Sequence, residues 1–378
     1  MIETILFLLF LALSIYYLIF LLSILTGLTK LRSNFSSLKS RPLVSIIIPF
    51  RNEAENILEN LRSIEAQDYE SDLLEVVYVN DDSEDESEKV LRSSIKKNNI
   101  KVISVPENFS PKAHKKKSIR FGIDNSSGEI IVTTDADCVH NSNWISKMVS
   151  CFSEHTGFVS GPVVFNKSKS LFKKLQRVEF AGLVLTGAGL IGINKPTICN
   201  GANLAYRRSV FNEVDGFKDQ FNLSSGDDEL LMQKIFKLKK YDIKFCYDRD
   251  AIVYTEANSD LKNFYNQRKR WASKGLFYSD KLLILKLILI FLFYLSFPVQ
   301  FILAFTVYSK LLLTFALSFL LKIIFEYLII KKGAKELLGE DIKEQFFLAQ
   351  LLHIPYILIT SVSGLFGDFN WKGRQLKR

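Results

Sequence analysis

The sequence predicts an α/β domain with a largely parallel sheet, set between apolar helices that span a membrane. Three observations predict it. Apolar residues make up 48% of the 378 positions, but they are too unevenly spread for one soluble globule. They gather toward the two ends, while between Arg41 and Asn258 short β-branched runs alternate with amphipathic helical stretches. Three of those runs stop in polar clusters, and in open α/β sheets ligands bind beyond the carboxyl ends of the strands.

The N-terminal segment 1–29 reads as a transmembrane helix. Residues 4–29 carry no charge, and at ~1.5 Å per residue they outspan a hydrocarbon core of roughly 30 Å. A signal peptide would have a shorter apolar region and a small-x-small site, and none precedes Lys30. The linker 30–42 holds Lys30, Arg32, Lys39 and Arg41, so the positive-inside rule places the following domain, 43–258, in the cytoplasm. Segment 259–281 is basic and aromatic and reads as interfacial. Segment 282–330, interrupted by Lys286, Lys310 and Lys322, is long enough for a transmembrane hairpin turning near Ser309. Lys331, Lys332 and Lys335 make 331–345 a cytoplasmic loop. The apolar segment 346–367 contains His353, Pro355 and Gly364 and reads as either a crossing or a re-entrant element. A basic tail, 368–378, is cytoplasmic if that segment does not cross completely.

Cys138, Cys151, Cys199 and Cys246 are widely spaced, which suggests neither disulfides nor a zinc site. The net charge of +9 sits largely beside apolar segments, so it suits membrane lipid headgroups rather than nucleic acid.

Within the soluble domain "VSIIIPF" (44–50) is the first strand, followed by a helix with Ile57, Leu58, Leu61 and Ile64 at helical spacing. "LEVVYVNDDSED", "KVISVP" and "EIIVTTDAD" supply three more strands. No Gly-x-Gly-x-x-Gly follows the first strand and no Gly-Lys-Ser/Thr occurs, so the usual glycine cradles for a pyrophosphate are missing. A divalent ion held by Asp135 and Asp137 would neutralise a phosphate instead, because Mg²⁺ typically takes one or two carboxylates together with phosphate oxygens. On its own an Asp-x-Asp pair reads first as a solvated turn.

Taken in order, "IIIPFRNEAENI", "VNDDSEDES", "KKKSIRFGI", "TTDADC", "CNGANLAYRRSVFNEVDGF", "SGDDELLMQKI" and "QRKRW" resemble the motif succession of family 2 glycosyltransferases, from Val44 to Trp271. The resemblance implies an inverting enzyme with a GT-A fold between N- and C-terminal transmembrane helices. The membrane segments resemble the branch of cellulose, hyaluronan and poly-N-acetylglucosamine synthases and ceramide glucosyltransferase. It implies a nucleotide-sugar donor, most often linked to UDP, with Mg²⁺ or Mn²⁺, and a lipid-linked or glycan acceptor. A processive polysaccharide synthase is the alternative, disfavoured by having few apolar segments to line a path across the bilayer. A non-catalytic sugar-binding scaffold would lack the carboxylates that are present here.

Position by position, Pro49, Asn52 and Glu53 match the first nucleotide-contacting loop, and Asp81 the aspartate near base and ribose. Lys115 sits where the family has a nucleotide-site lysine, although a solvated charge in the run 115–117 reads equally well. Asp135 and Asp137 match the pair that binds ribose and metal-diphosphate, both as metal ligands with Asp137 the first choice. Gly201, Ala202 and Asn203 match a donor-sugar segment, where small residues let the backbone approach; a plain strand entering a turn is the other reading. Asp228 matches the general base, flanked by Asp227 and Glu229, a pattern that by residue type alone is a helix N-terminus. Gln267, Arg270 and Trp271 reproduce Gln-x-x-Arg-Trp, implying diphosphate neutralisation by Arg270 and a face for a sugar on Trp271. An interfacial helix ahead of a span accounts for the same residues. Asn80, Asp82 and His114 depart from commoner family residues, with glycine frequent at 82 and near 114.

Overall fold

The computed structural model describes residues 2–31, 40–106, 109, 114–218, 226–273, 278, 280–366, 369–371 and 374–376. Arg32 and Lys39 of the linker, and Lys372, Lys377 and Arg378 of the tail, lie outside them. The strands are β1 Val44–Phe50, β2 Leu74–Asn80, β3 Ile100–Ser104, β4 Ile130–Thr133, β5 Val139–His140, β6 Thr156–Ser160, β7 Val163–Phe165, β8 Leu204–Arg207, β9 Asp242–Phe245 and β10 Val253–Thr255, with a hairpin of β11 Phe369–Trp371 and β12 Arg374–Leu376. The helices are α1 Ile2–Lys30, α2 Ile57–Glu65, α3 Ser87–Ser94, α4 His114–Asp124, α5 Trp144–Ser150, α6 Leu171–Gly192, α7 Arg208–Glu213, α8 Glu229–Lys237, α9 Leu261–Ala272, α10 Lys281–Thr306, α11 Leu311–Gly333 and α12 Phe346–Gly364.

The main sheet has the order β3-β2-β1-β4-β8-β6-β9. Its first four strands are parallel, and Val44, Ile46, Ile47, Ile48, Val76, Val77, Val79 and Ile130 are all at most 1% exposed. β-branched side chains on both faces are what a parallel strand covered on each side requires. β1 and β2 pair from Val44↔Leu74 to Phe50↔Asn80, so the polar residues after each strand emerge side by side. β8 runs antiparallel to β4, with Leu204 opposite Thr133. That reversal sets the segment before β8 against the turn after β4, and it fixes the position of the candidate site. A three-stranded sheet, β5-β10-β7, flanks the same edge.

Four helices are long and apolar enough to cross a membrane: α1, α10, α11 with its extension to Leu338, and α12. The chain is a membrane protein on this count, and Pro298 and Pro355 lie inside α10 and α12 without ending either. The buried charges of α11 are paired. Lys322 and Glu326 form an ion pair at 3.2 Å, Tyr17 Oη donates to Glu326 Oε1 at 2.7 Å, and Lys322 also reaches Gln350, so α1, α11 and α12 share one polar junction. Pairing is what makes ionisable groups tolerable at that depth. The sheet layer is fastened to the bundle through α6 and α1. A Cβ on Gly189 would lie 2.6 Å from the Ile24 carbonyl oxygen, and one on Gly192 would lie 2.3 Å from that of Gly27. Only glycine permits backbones this close.

Candidate active site

Asp135 and Asp137 occupy the turn that leaves β4, closed by the Cys138 N–H donating to the Asp135 carbonyl at 3.2 Å. A fully buried residue holds this turn in place: Asn60, on α2, donates through Nδ2 to the Cys138 carbonyl at 2.7 Å and accepts from Tyr78 Oη at 2.7 Å. Lys115, in the first turn of α4, reaches Asp135 at 2.6 Å and Asp227 at 3.4 Å. Burial alone would lower the ammonium pKa, but Asp135, Asp227 and Asp228 outweigh it and hold Lys115 above its ordinary value. Lys115 is therefore a partly buried cation among three carboxylates, not a solvated charge.

The segment before β8 completes the cluster. A Cβ on Gly201 would lie 3.1 Å from Asp227 Oδ2, 3.4 Å from Lys115 Nζ and 3.6 Å from Asp228 Cβ. Asp228 is the N-cap of α8, its Oδ1 accepting the Glu229 N–H at 2.7 Å. Capping spends one carboxylate position, and the residue still lines the cavity. On α9, Gln267, Arg270 and Trp271 share a face at i, i+3 and i+4 and line the same cavity. Burial lowers the Arg270 pKa, opposed by Asp227, Asp228 and Asp135; a guanidinium stays charged regardless.

The cavity, of ≈ 750 Å³, runs from these carboxylates past Phe180 and Leu183 of α6 to Ile288 and Phe291 of α10 and Ile357 and Thr360 of α12. It joins the polar strand edge to the membrane helices without interruption.

Pro49, Asn52, Glu53 and Asp81 lie at the ends of β1 and β2, beside the β4 turn but outside this lining. They are tied to the following loop. Asn52, with φ +51°, accepts the Glu84 N–H at 2.9 Å, and the Glu53 N–H donates to Ser87 Oγ at 2.7 Å. Asp82 has φ +60°, so the position where glycine is frequent retains the left-handed backbone that glycine favours.

Asn203 is set apart from its two neighbours. Its side chain is fully buried, donating to the Pro162 and Ala251 carbonyls at 2.8 Å each and accepting the Trp144 indole N–H at 2.9 Å. With these polar atoms committed to neighbouring loops, it braces the cavity wall from behind the lining. Gly201 and Ala202 do line the cavity.

Several residues escaped sequence reasoning. Arg268, beside the motif positions, pairs with Glu179 at 2.5 Å and lies over the Trp271 ring at 4.2 Å from its centroid, thereby orienting it. Tyr278 donates to Glu229 Oε2 at 2.7 Å. No local pattern signals either pair, because the partners lie far apart in the chain. Among the described residues no group of three His, Cys, Asp or Glu side chains could hold a metal alone. Two carboxylates at one turn fit Mg²⁺ or Mn²⁺, which leave coordination positions for phosphate oxygens, and do not fit structural zinc.

Residues 45–215 match the model of the family described as Glycosyl transferase family 2. The chain is 29% identical over 252 residues to "Probable glycosyltransferase YdaM" of Bacillus subtilis, covering 65% of this chain and 57% of that protein. It is 28% identical over 155 residues to an undecaprenyl-phosphate 4-deoxy-4-formamido-L-arabinose transferase of Edwardsiella ictaluri, covering 41% and 47% respectively. The chain thus spans about half the length of these curated relatives. Among solved structures, the mannosyltransferase PcManGT of Pyrobaculum calidifontis, in complex with GDP-Man and Mn²⁺, superposes with a TM-score of 0.60 at 18% identity, over 96% of this chain and 99% of that one. The likeness shows a shared GT-A fold.

Proposed function

The chain carries a family 2 glycosyltransferase domain, and from that premise we propose that it moves one sugar, with inversion, from a nucleoside-diphosphate sugar to a lipid-linked acceptor in the membrane. One observation carries this reading: the cavity that holds Asp135, Asp137, Asp227 and Asp228 continues between α10 and α12. An acceptor can keep its tail among the membrane helices while its head reaches the carboxylates. The positive-inside rule puts the catalytic domain on the cytoplasmic side.

In this reading Pro49, Asn52, Glu53 and Asp81 shape the nucleotide shelf, and Gly201 and Ala202 admit the donor sugar. Asp135 and Asp137 would hold Mg²⁺ or Mn²⁺, with a neighbour of this fold recorded with Mn²⁺ as support. That ion supplies charge neutralisation at the diphosphate. Lys115 and Arg270 face the leaving group, Gln267 and Trp271 frame the acceptor, and Asp228 takes the proton of the attacking hydroxyl. A positioned base contributes roughly 10²- to 10⁴-fold.

The test is Asp228→Asn, which keeps shape and removes basicity. Purified protein should still bind donor and lose roughly 10²- to 10⁴-fold in turnover, with mass spectrometry of the wild-type product showing a lipid bearing one added sugar. Full turnover in Asp228→Asn places the base elsewhere, and a long polymer overturns the single transfer.

A further inference from the structure

The candidate base stands where the chain turns into a helix. Gly226, two residues before Asp228, has φ +88°, a conformation that glycine adopts at little cost. Beyond it α8 sinks Leu231, Met232 and Ile235 fully into the core. Asp228 lies between the turn and the anchored helix, and its Oδ1 accepts the Glu229 N–H at 2.7 Å. The place of its carboxylate therefore follows the Glu229 backbone.

Glu229 is in turn held by a residue far along the chain. Tyr278 Oη donates to Glu229 Oε2 at 2.7 Å, and both residues are 8% exposed and line the cavity. Burial, reinforced by the charges of Glu229 and Asp228, holds the phenol well above its ordinary pKa, so it stays protonated and donates. Tyr278 stands two residues ahead of Asp280, whose Oδ1 caps α10 by accepting the Leu282 N–H at 2.9 Å. The first turns of α10 then carry Ile284, Leu287 and Ile288 into the cavity wall. One hydroxyl thus joins the start of α8 to the start of the helix along which an acceptor would lie.

We propose that Tyr278 is a positioning residue of the transfer: through its bond to Glu229 it sets where Asp228 stands against the hydroxyl of an acceptor seated along α10. This rests on the reading above, in which Asp228 takes the acceptor's proton. Tyr278 acts through Glu229 and moves no proton itself. Removing the hydroxyl leaves the ring in place and lets the start of α8 shift; since a displacement of ~1 Å costs roughly 100-fold, a shift of about a few tenths of an ångström should cost about 10-fold in kcat. Donor KM should hold, because the turn after β4 and Lys115 on α4 belong to elements that this bond does not join.

The experiment uses the full chain in phosphatidylcholine vesicles, with labelled UDP- and GDP-sugars as donors and membrane lipids extracted from the source cells as acceptors. Tyr278→Phe is compared alone and on Asp228→Asn, with the sugar that the wild type transfers fastest and at matched folded fraction. The expected result is about 10-fold lower kcat at unchanged donor KM in the first background, and no further loss in the second, where the base whose place the tyrosine sets is gone. A tyrosine that only supported the fold would lower the rate by the same factor in both. Glu229→Gln, which offers the phenol a neutral oxygen, should lose less than Tyr278→Phe, and it carries the same comparison if Tyr278→Phe does not fold. Wild-type kcat in Tyr278→Phe, equal losses in both backgrounds, or a loss confined to donor KM overturns the inference while leaving lipid glycosylation standing. Full turnover in Asp228→Asn overturns the base assignment on which it rests, and the inference with it.

Discussion

Replacing Gly201 by alanine tests the site with a single carbon atom. The added Cβ would sit 3.1 Å from Asp227 Oδ2 and 3.4 Å from Lys115 Nζ. The Gly201 backbone lies outside the left-handed region, so alanine meets no dihedral penalty. The tighter contact must open by a few tenths of an ångström, and the atoms that yield are ends of side chains. The fold should therefore lose less than about 1 kcal/mol, below the usual overpacking cost. Catalysis should be less tolerant, because Asp227 is tied to Lys115 at 3.4 Å and Lys115 to Asp135 at 2.6 Å. Misplacing a reacting group by ~1 Å costs roughly 100-fold, so a few tenths should cost about 10-fold in kcat, or ~1.4 kcal/mol. The assay compares kcat and donor KM with thermal unfolding at matched folded fraction. Gly182→Ala, where a new Cβ meets nothing within 4 Å, is the control and should keep its rate. Wild-type kcat in Gly201→Ala would refute the claim that this glycine borders the reacting groups.

Three further perturbations have expected outcomes. Burial lowers the His140 pKa to about 3; the unfolded chain takes up that proton near 6.5 and the folded domain does not, so between those values stability should drop by about 1.4 kcal/mol for each unit by which the pH is lowered. Stability should be unaffected by this group above that window, and His140→Gln should flatten the slope in chemical denaturation at several pH values. Excess chelator should abolish turnover, and Asp137→Asn should weaken metal-dependent donor binding by at least the roughly 10-fold that even outer ligand partners cost; calorimetry showing unchanged affinity would move the ion elsewhere. Gly189→Ala should destabilise the detergent-solubilised protein by roughly 1–3 kcal/mol or more, since its Cβ would meet the Ile24 carbonyl oxygen at 2.6 Å; an unchanged unfolding temperature would mean that α1 and α6 do not pack this way.

The α/β class and the apolar ends were legible because they are periodic, local signals: β-branched runs for buried strands, charge-free stretches for spans. The order of the motifs identified the family for the same reason. Charge pairing was not legible. Lys115 could be read as one of three consecutive lysines, and only the reversal of β8 beside β4 brings Gly201 and the start of α8 against it. Nor was the orientation of Asn203 legible. The motif names three adjacent residues, but they form the turn that enters β8, where Gly201 and Ala202 meet the cavity while Asn203 turns inward to Trp144.

On α9, helical geometry separates the partners of neighbouring residues. Gln267, Arg270 and Trp271 fall at i, i+3 and i+4 and share the cavity face. Arg268 is rotated by about 100° from Gln267, which takes its guanidinium to Glu179 on α6. Glu179 in turn accepts Tyr356 of α12 at 2.9 Å. One carboxylate thus ties the interfacial helix, the catalytic layer and a membrane helix at the point where the cavity passes between them. Were Arg268 a solvated surface charge, Trp271 would lose the guanidinium over its ring and be left against the Phe180 ring, 5.8 Å between centroids, without a cation to fix its tilt.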